Sequence, residues 1–147
     1  MRIMLGADHL GFALKDVVAA HLAERGHEVV DASPRDVDDD YPDVAVAVAT
    51  RVAQAEADAG VLVCGTGIGM AIAANKVPGI RAANVSDPYS AERARASNNA
   101  QILCLGARVV TPDLARILLD HWLSVDFQGG GSARKVAKID ALDDRAC

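Results

Sequence analysis

The sequence predicts an α/β fold with a parallel sheet covered by helices on both faces, and three observations lead to this prediction. Short aliphatic segments alternate along the chain with longer segments of helical periodicity. Hydrophobic residues make up 51% of the chain but aromatic residues only 3%, so the core must consist mainly of small aliphatic side chains. At 147 residues the chain is long enough for one sizeable core. We therefore expect a single domain over residues 1–147.

Five short apolar segments predict the strands. In chain order they are residues 2–6, 27–31, 60–64, 80–85 and 101–105. The third is a continuous apolar run, as expected of a parallel strand that is covered on both faces. Right-handed crossovers place every strand-to-helix loop along one edge of the sheet, where the ligands of such sheets bind. The expected architecture is a Rossmann-like, three-layer domain around a parallel five-stranded sheet.

Six further segments predict helices. In chain order they are residues 10–25, 44–57, 70–76, 90–97, 112–123 and about 132–142. The first has helical periodicity through Leu14 and Leu22 and ends near Gly26. The fifth begins after Thr111, a good N-cap residue, and the last follows a break of three glycines. The first, fifth and last of these segments are thus each bounded at one end by residues that start or stop helices.

Composition excludes several classes of function. The net charge of −5 gives no electrostatic footprint for nucleic acid or an anionic membrane, and no apolar run is long enough to span a bilayer. Three cysteines without metal-ligand spacing predict neither a disulfide framework nor a zinc site. Asp36, Asp38 and Asp39 lie in a polar stretch that we interpret as a solvated loop. We expect a reduced, cytoplasmic protein.

The most informative motif is Leu-Val-Cys-Gly-Thr-Gly-Ile-Gly-Met at residues 62–70. A strand ends at Cys64, and Gly65, Gly67 and Gly69 form a turn that opens a helix. Exposed amides at a helix N-terminus attract a phosphate or a developing oxyanion, and they favour the thiolate of a nearby cysteine. The motif is not a Walker loop, because no Gly-Lys-Ser/Thr follows, and it fits the dinucleotide fingerprint poorly. Taken alone, Cys64 fits a small buried hydrophobe better than a nucleophile.

Other polar side chains are expected at the same edge of the sheet. They are Asp8 and His9 after the first strand, Tyr41 in the long loop, Ser86 and Asp87 after the fourth strand, and Arg108 after the fifth. Because these loops share one edge with the motif around Cys64, we expect a ligand site there.

Four motifs occur in a fixed order. They are GADHLG from Gly6, DYPD from Asp40, CGTGIG from Cys64 and ANKVPGIR from Ala74. On these motifs the chain resembles ribose-5-phosphate isomerase B and its galactose-6-phosphate isomerase relatives, from residue 2 to about residue 139.

This resemblance implies an aldose–ketose isomerase that acts on a small phosphorylated sugar through a cis-enediolate, without metal or cofactor. It implies that Cys64 is the base and that Thr66 assists the proton transfers. The residues that it implies for substrate binding are Asp8, His9, Tyr41, Gly65, Gly67, Ile68, Gly69, Met70, Asn98, Arg108, Arg134 and Lys135. It also implies a homodimer, or a tetramer built from such dimers, whose sites combine residues of both subunits of a dimer. The last helix then packs at the dimer interface, and neither nucleic acid nor a membrane is a partner.

Several positions depart from the family pattern. Ser97 stands where the ribose enzymes have a ring-opening histidine, Gly131 replaces an arginine, and Lys135 replaces another. Lysine keeps the charge but loses the bidentate hydrogen bonding of arginine to a phosphate. Arg134, one position earlier, replaces part of that contact. A four-carbon sugar 4-phosphate cannot close into a furanose, so it needs no ring-opening acid. Both erythrulose 4-phosphate/erythrose 4-phosphate and ribose 5-phosphate/ribulose 5-phosphate remain open as substrates. An alternative is a non-catalytic or co-dependent subunit of a hetero-oligomeric isomerase.

Overall fold

The computed structural model describes residues 1–33 and 40–143. The strands within these ranges are β1 (Arg2–Ala7), β2 (Glu28–Asp31), β3 (Ala59–Cys64), β4 (Ala82–Asn84) and β5 (Ile102–Gly106). The helices are α1 (Phe12–Glu24), α2 (Tyr41–Ala53), α3 (Ile68–Ala74), α4 (Pro88–Ala96), α5 (Pro112–Leu123) and α6 (Gly131–Asp140). The loop interpretation of Asp36, Asp38 and Asp39 falls outside the described residues, as does Cys147.

All strand pairs in the sheet are parallel, in the order β2-β1-β3-β5-β4. The chain runs outward from β1 to β2 and then returns to place β3 on the other side of β1. The strand order therefore reverses between β1 and β3, and ligands of open α/β sheets bind at the carboxyl ends of strands at such a point. Asp8 follows β1 and Cys64 ends β3, so both lie at the reversal.

Two apolar cores separate the three layers. On one face α1, α4 and α5 cover alternate residues of the central strands, with the indole of Trp122 fully buried among them. On the other face α2 and α3 cover the intervening residues, which include Leu62 and Cys64. Each core receives alternate residues because successive side chains of a strand point to opposite faces of the sheet. This alternation turns Cys64 toward the side of α2 and α3, and the predicted α/β architecture is confirmed.

Helix α2 differs from the predicted segment 44–57 at both ends, and it ends at Ala53. The helix begins at Tyr41 and not at residue 44, because Asp40 is extended and Pro42 occupies the first turn, where its missing N–H costs nothing. The aromatic ring therefore belongs to a helix and not to a loop. A related difference occurs at α4, where the side chain of Asp87 caps the helix by accepting the Ser90 N–H at 2.8 Å. In the described ranges, no helix has the length and apolar character needed to cross a membrane.

Candidate active site

A cavity of about 430 Å³ opens at the carboxyl ends of β1, β3 and β5. Cys64 is 5% exposed, and the residue lines this cavity. The apolar core therefore covers most of its side chain without closing it off. The wall also includes Asp8, Tyr41, Thr66 and Arg108, all of which were predicted from the sequence to lie at this edge.

The glycine turn, residues 65–69, brings backbone amides to the sulfur. Gly67 donates its N–H to Cys64 Sγ at 3.1 Å. Gly67 has φ +79° and begins α3 as its N-cap. A Cβ at this position would lie 2.6 Å from Asn84 Oδ1 and 2.9 Å from the carbonyl carbon of Leu105. Only glycine allows this close approach of the turn to β5.

The turn is also fastened to the loop that follows β5. Ala107 donates its N–H to the Cys64 carbonyl at 2.8 Å, and Arg108 donates its N–H to the Gly65 carbonyl at 3.0 Å. The exposed side chain of Arg108 consequently stands at the mouth of the cavity. A guanidinium there can bind a phosphate or a carboxylate.

Thr66 and Asp8 supply the other polar groups of the cavity. Thr66 is exposed, and its Oγ1 accepts the Ile68 N–H at 3.3 Å. Asp8 is 6% exposed, and its Oδ1 accepts the N–H groups of Leu10 at 3.0 Å and Gly11 at 3.2 Å. These bonds hold the Asp8 carboxylate at the end of β1, in the wall of the cavity.

Tyr41 packs against the first turn of α3. A Cβ on Gly69 would lie 2.3 Å from Tyr41 Cε2 and 2.9 Å from the phenolic oxygen. The absence of a side chain at Gly69 is thus what makes room for the tyrosine ring. The pair forms one wall of the cavity.

Some predicted site residues lie outside the cavity wall. His9 is exposed but is not part of the wall, and Met70 is fully buried in the core between α3 and the sheet. Asn98, Arg134 and Lys135 are exposed elsewhere on the chain. The structure therefore brings together only part of the predicted set.

Asn98 lies at the opposite end of the sheet from Cys64. It follows α4 and precedes β5, whereas Cys64 is paired in register with Gly106 at the end of that strand. The five residues of β5 at about 3.3 Å each separate the two levels by roughly 16 Å. A single chain cannot bring Asn98 and Cys64 to the same small ligand.

Two apolar side chains of the cavity wall were not singled out in the sequence analysis. Leu10 and Ile72 both line the cavity and are 41% and 58% exposed. The spacing of Ile68 and Ile72 by four residues on α3 was the available signal, because it places both on one face of the helix. Such exposure of large apolar residues around a polar site marks a surface suited to contact.

Cys104, on the neighbouring strand β5, lies in a different environment from Cys64. It pairs in register with Leu62 and belongs to the same core cluster as Cys64. Complete burial raises the pKa of the Cys104 thiol far above its ordinary value, and the nearby Cys64 adds to this shift. Cys104 is therefore a neutral part of the core. In the described residues, no group of three or more histidine, cysteine or acidic side chains is placed to hold a metal.

Comparison with known proteins gives a consistent result. A family model described as Ribose/Galactose Isomerase matches residues 3–139. D-erythrulose-4-phosphate isomerase of Pectobacterium atrosepticum is 49% identical over 141 residues, which cover 95% of this chain and 93% of that protein. Ribose-5-phosphate isomerase B of Escherichia coli is 46% identical over 145 residues, covering 98% of this chain and 97% of the relative. The structure of Clostridium thermocellum ribose-5-phosphate isomerase B superposes with a TM-score of 0.96 at 46% identity, with both chains fully covered.

Proposed function

Because this chain belongs to the ribose/galactose isomerase family, we propose that it interconverts the aldose and ketose forms of a short phosphorylated sugar. The observation that carries the proposal is the position of Cys64, whose sulfur accepts an amide N–H in the wall of the cavity. Relatives that share nearly half of its residues are named as isomerases of two different sugar phosphates. No metal or cofactor is part of the proposed reaction.

The proposed reaction moves one hydrogen between adjacent carbons. The Cys64 thiolate takes the proton from C2 of the aldose, and the electron pair of that C–H bond forms the enediolate. Thr66, which lines the same cavity, assists proton exchange between O1 and O2 in this proposal. The thiol then returns its proton to C1, and the product is the ketose. The reaction is redox-neutral overall, and the thiolate is regenerated.

The cavity offers stabilisation for the intermediate. In this proposal amides of the glycine turn stabilise the enediolate oxygens, and one such donor is commonly worth about 3–4 kcal/mol. In this proposal Asp8 accepts hydrogen bonds from substrate hydroxyls and Arg108 contacts the phosphate, and both residues line the cavity. Together these groups recognise a small anionic polyol.

The site is complete only with a second copy of the chain. Asn98 cannot reach the cavity of its own chain, Arg134 and Lys135 do not line it, and exposed Leu10, Ile68 and Ile72 do. We infer that a homodimer covers this apolar rim and that each chain donates its Asn98 turn and α6 to the partner's cavity. The purified chain is then active without a different subunit. A reducing compartment such as the cytoplasm keeps Cys64 in its thiol form.

The preferred substrate in this proposal is erythrulose 4-phosphate, with ribose 5-phosphate as the second candidate. This preference rests on Ser97, because a serine hydroxyl does not titrate near neutral pH and is a poor acid for opening a furanose. In the structure Ser97 Oγ lies 3.4 Å from Arg93 Nη1, which donates to it. The relatives include an isomerase named for each of these two sugar phosphates.

A steady-state comparison of both substrates on the purified chain tests these proposals. We expect kcat/KM for erythrulose 4-phosphate to exceed that for ribose 5-phosphate by at least about tenfold, equivalent to 1.4 kcal/mol. The opposite preference would make the ribose reaction the function. No turnover of either sugar would contradict the proposed isomerase.

Cys64→Ala tests the base within the same assay. We expect turnover to fall by about a thousandfold or more, because general-base catalysis alone contributes on the order of 10²–10⁴. Cys104→Ala is the matched control, since it removes a buried thiol of the same face without touching the cavity. It should keep turnover while losing ~1 kcal/mol of stability. Wild-type activity in Cys64→Ala would assign the proton transfer to another group.

A further inference from the structure

The turn that holds Asn98 and the helix α6 are joined by one arginine. Arg81 precedes β4, and its side chain is 13% exposed. Its Nε donates to the Asn99 carbonyl at 3.2 Å, and its Nη1 donates to the carboxylate of Asp140 at the end of α6. One guanidinium therefore contacts the Asn98 turn and α6 at the same time.

The backbone around Arg81 is itself fixed by Gln101. The Arg81 N–H donates to Gln101 Oε1 at 2.8 Å, and Gln101 Nε2 donates to the Gly79 carbonyl at 2.7 Å. The Gly79 N–H in turn donates to Oδ2 of Asp143, just beyond α6, at 2.7 Å. The C-terminal end of α6 is thus tied twice to the segment before β4.

The other end of α6 is tied to the same region. Gln128, in the segment that enters α6, donates its N–H to the Ala96 carbonyl at 3.0 Å, directly before the Asn98 turn. Val136 is the one residue of α6 that is buried in the described structure. Polar ties at its two ends, more than apolar packing, therefore position this helix on its own chain.

The turn needs such support because of its backbone. Asn99 has φ +50°, a left-handed conformation that asparagine tolerates but that still carries a cost. The Asn98 side chain donates to the Arg93 carbonyl at 3.3 Å and remains exposed. Arg81 holds the Asn99 carbonyl and so fixes the direction in which Asn98 is presented.

We propose that Arg81 is a positioning residue that sets the distance between Asn98 and the cations Arg134 and Lys135 on α6. This inference rests on the proposed function, in which the Asn98 turn and α6 of one chain enter the cavity of its partner. There the phosphate meets the cations of α6 together with Arg108 of the cavity, and the other end of the sugar meets Asn98. A ligand that contacts both Asn98 and the cations of α6 binds well only when the distance between these groups matches the length of the ligand. Arg81 thereby determines the chain length of the sugar that the site accepts.

The test compares a sugar phosphate, which contacts both Asn98 and the cations of α6, with inorganic phosphate, which contacts the cations alone. In Arg81→Met we expect KM for the preferred sugar phosphate to rise about tenfold, since small displacements of anchoring groups weaken binding strongly. The kcat should stay within about twofold, because Cys64 and its amides are untouched. The inhibition constant of inorganic phosphate should stay within about twofold as well, because it needs only the cationic anchor. Arg81→Lys keeps the pair with Asp140 and should show a smaller rise in KM.

Arg116→Met is the matched control, since it removes an arginine that pairs with the exposed Asp113 on α5. It should leave KM, kcat and the inhibition constant of inorganic phosphate unchanged. An unchanged KM in Arg81→Met overturns the inference and leaves the isomerase function standing. Parallel loss of phosphate inhibition, dimerisation and thermal stability also overturns it, because Arg81 is then only structural. A wild-type chain without isomerase activity overturns the proposed function and this inference together.

Discussion

At the scale of single residues, environment decides what a cysteine does in this protein. Cys64 and Cys104 lie on adjacent strands and face the same core. The first lies in the cavity wall and receives an N–H from Gly67, whereas the second is sealed and its pKa is raised by burial. Reactivity follows from access and stabilising dipoles and not from residue type.

Gly69→Ala is expected to change the shape of the cavity. The new methyl group would lie 2.3 Å from the Tyr41 ring, so the partly exposed ring must move. We expect kcat/KM to fall by about tenfold or more, whereas stability should change by less than ~1 kcal/mol because alanine favours the helix. In a Tyr41→Ala background the same substitution should have little further effect. Additive losses of kcat/KM in the double variant would show that the two residues act separately.

At the scale of secondary-structure elements, an ion pair between a buried lysine and an exposed aspartate connects α1 to the carboxyl end of β2. Lys15 is 8% exposed and binds the carboxylate of Asp31. Asp31 also accepts the Ser33 N–H at 2.9 Å, and Ser33 Oγ accepts the Ala7 N–H at 3.1 Å. The chain of contacts therefore ends at the residue before Asp8. It holds the end of β1 that carries a predicted substrate-binding residue.

The Asp31 contacts predict an acid-dependent loss of stability. Partial burial of the carboxylate acts to raise its pKa, but the hydrogen bonds from Lys15 and Ser33 and the charge of Lys15 outweigh this and hold the pKa below its ordinary value. A lowered folded-state pKa means that the charged form stabilises the fold above the unfolded pKa of about 3.9. The stability that the charged carboxylate contributes is lost as pH falls through the folded-state pKa of Asp31.

Asp31→Asn should therefore be less stable than the wild type at neutral pH. The difference in unfolding free energy should shrink below about pH 4 and vanish once the wild-type carboxyl is protonated. Urea denaturation of both proteins across this range measures it. Asp113→Asn, which alters an exposed ion pair, should show almost no difference at any pH. A pH-independent loss in Asp31→Asn would assign the effect to packing.

At the scale of the whole molecule, the sheet places two groups of predicted site residues at opposite ends. Cys64, Asp8 and Arg108 lie at the carboxyl edge, and Asn98 lies at the amino end of β5. A twofold dimer has an interface in which each copy both gives and receives the same surface. Two equivalent composite sites follow from such an arrangement. The prediction of one domain over residues 1–147 stays a prediction.

Complementation between two inactive variants tests the composite site. One variant is Cys64→Ala, and the other combines Asn98→Ala with Lys135→Ala. Random reassociation gives heterodimers in which one site carries all substitutions and the other carries none, so about a quarter of all sites are intact. We expect the refolded mixture to regain about a quarter of wild-type turnover. A mixture as inactive as its parts would place all of these residues in a site built from one chain.

The sequence by itself determined the elements and the chemistry of the central turn. Five aliphatic runs separated by helical segments fixed an α/β fold, because burial on both faces demands continuous apolar strands. The glycines after Cys64 predicted amides near the sulfur, and the structure has the Gly67 N–H there. Both features are local, since they depend on residues within a few positions of one another.

The tertiary structure alone decided which distant residues meet. It made β5 the neighbour of β3 and brought the Tyr41 ring onto Gly69. It also separated Asn98 from Cys64 and tied its turn to α6 through Arg81. Periodicity reports which face of an element is buried, but not which element covers it. Strand order and the contacts across it depend on the packing of the whole chain, which no short segment encodes.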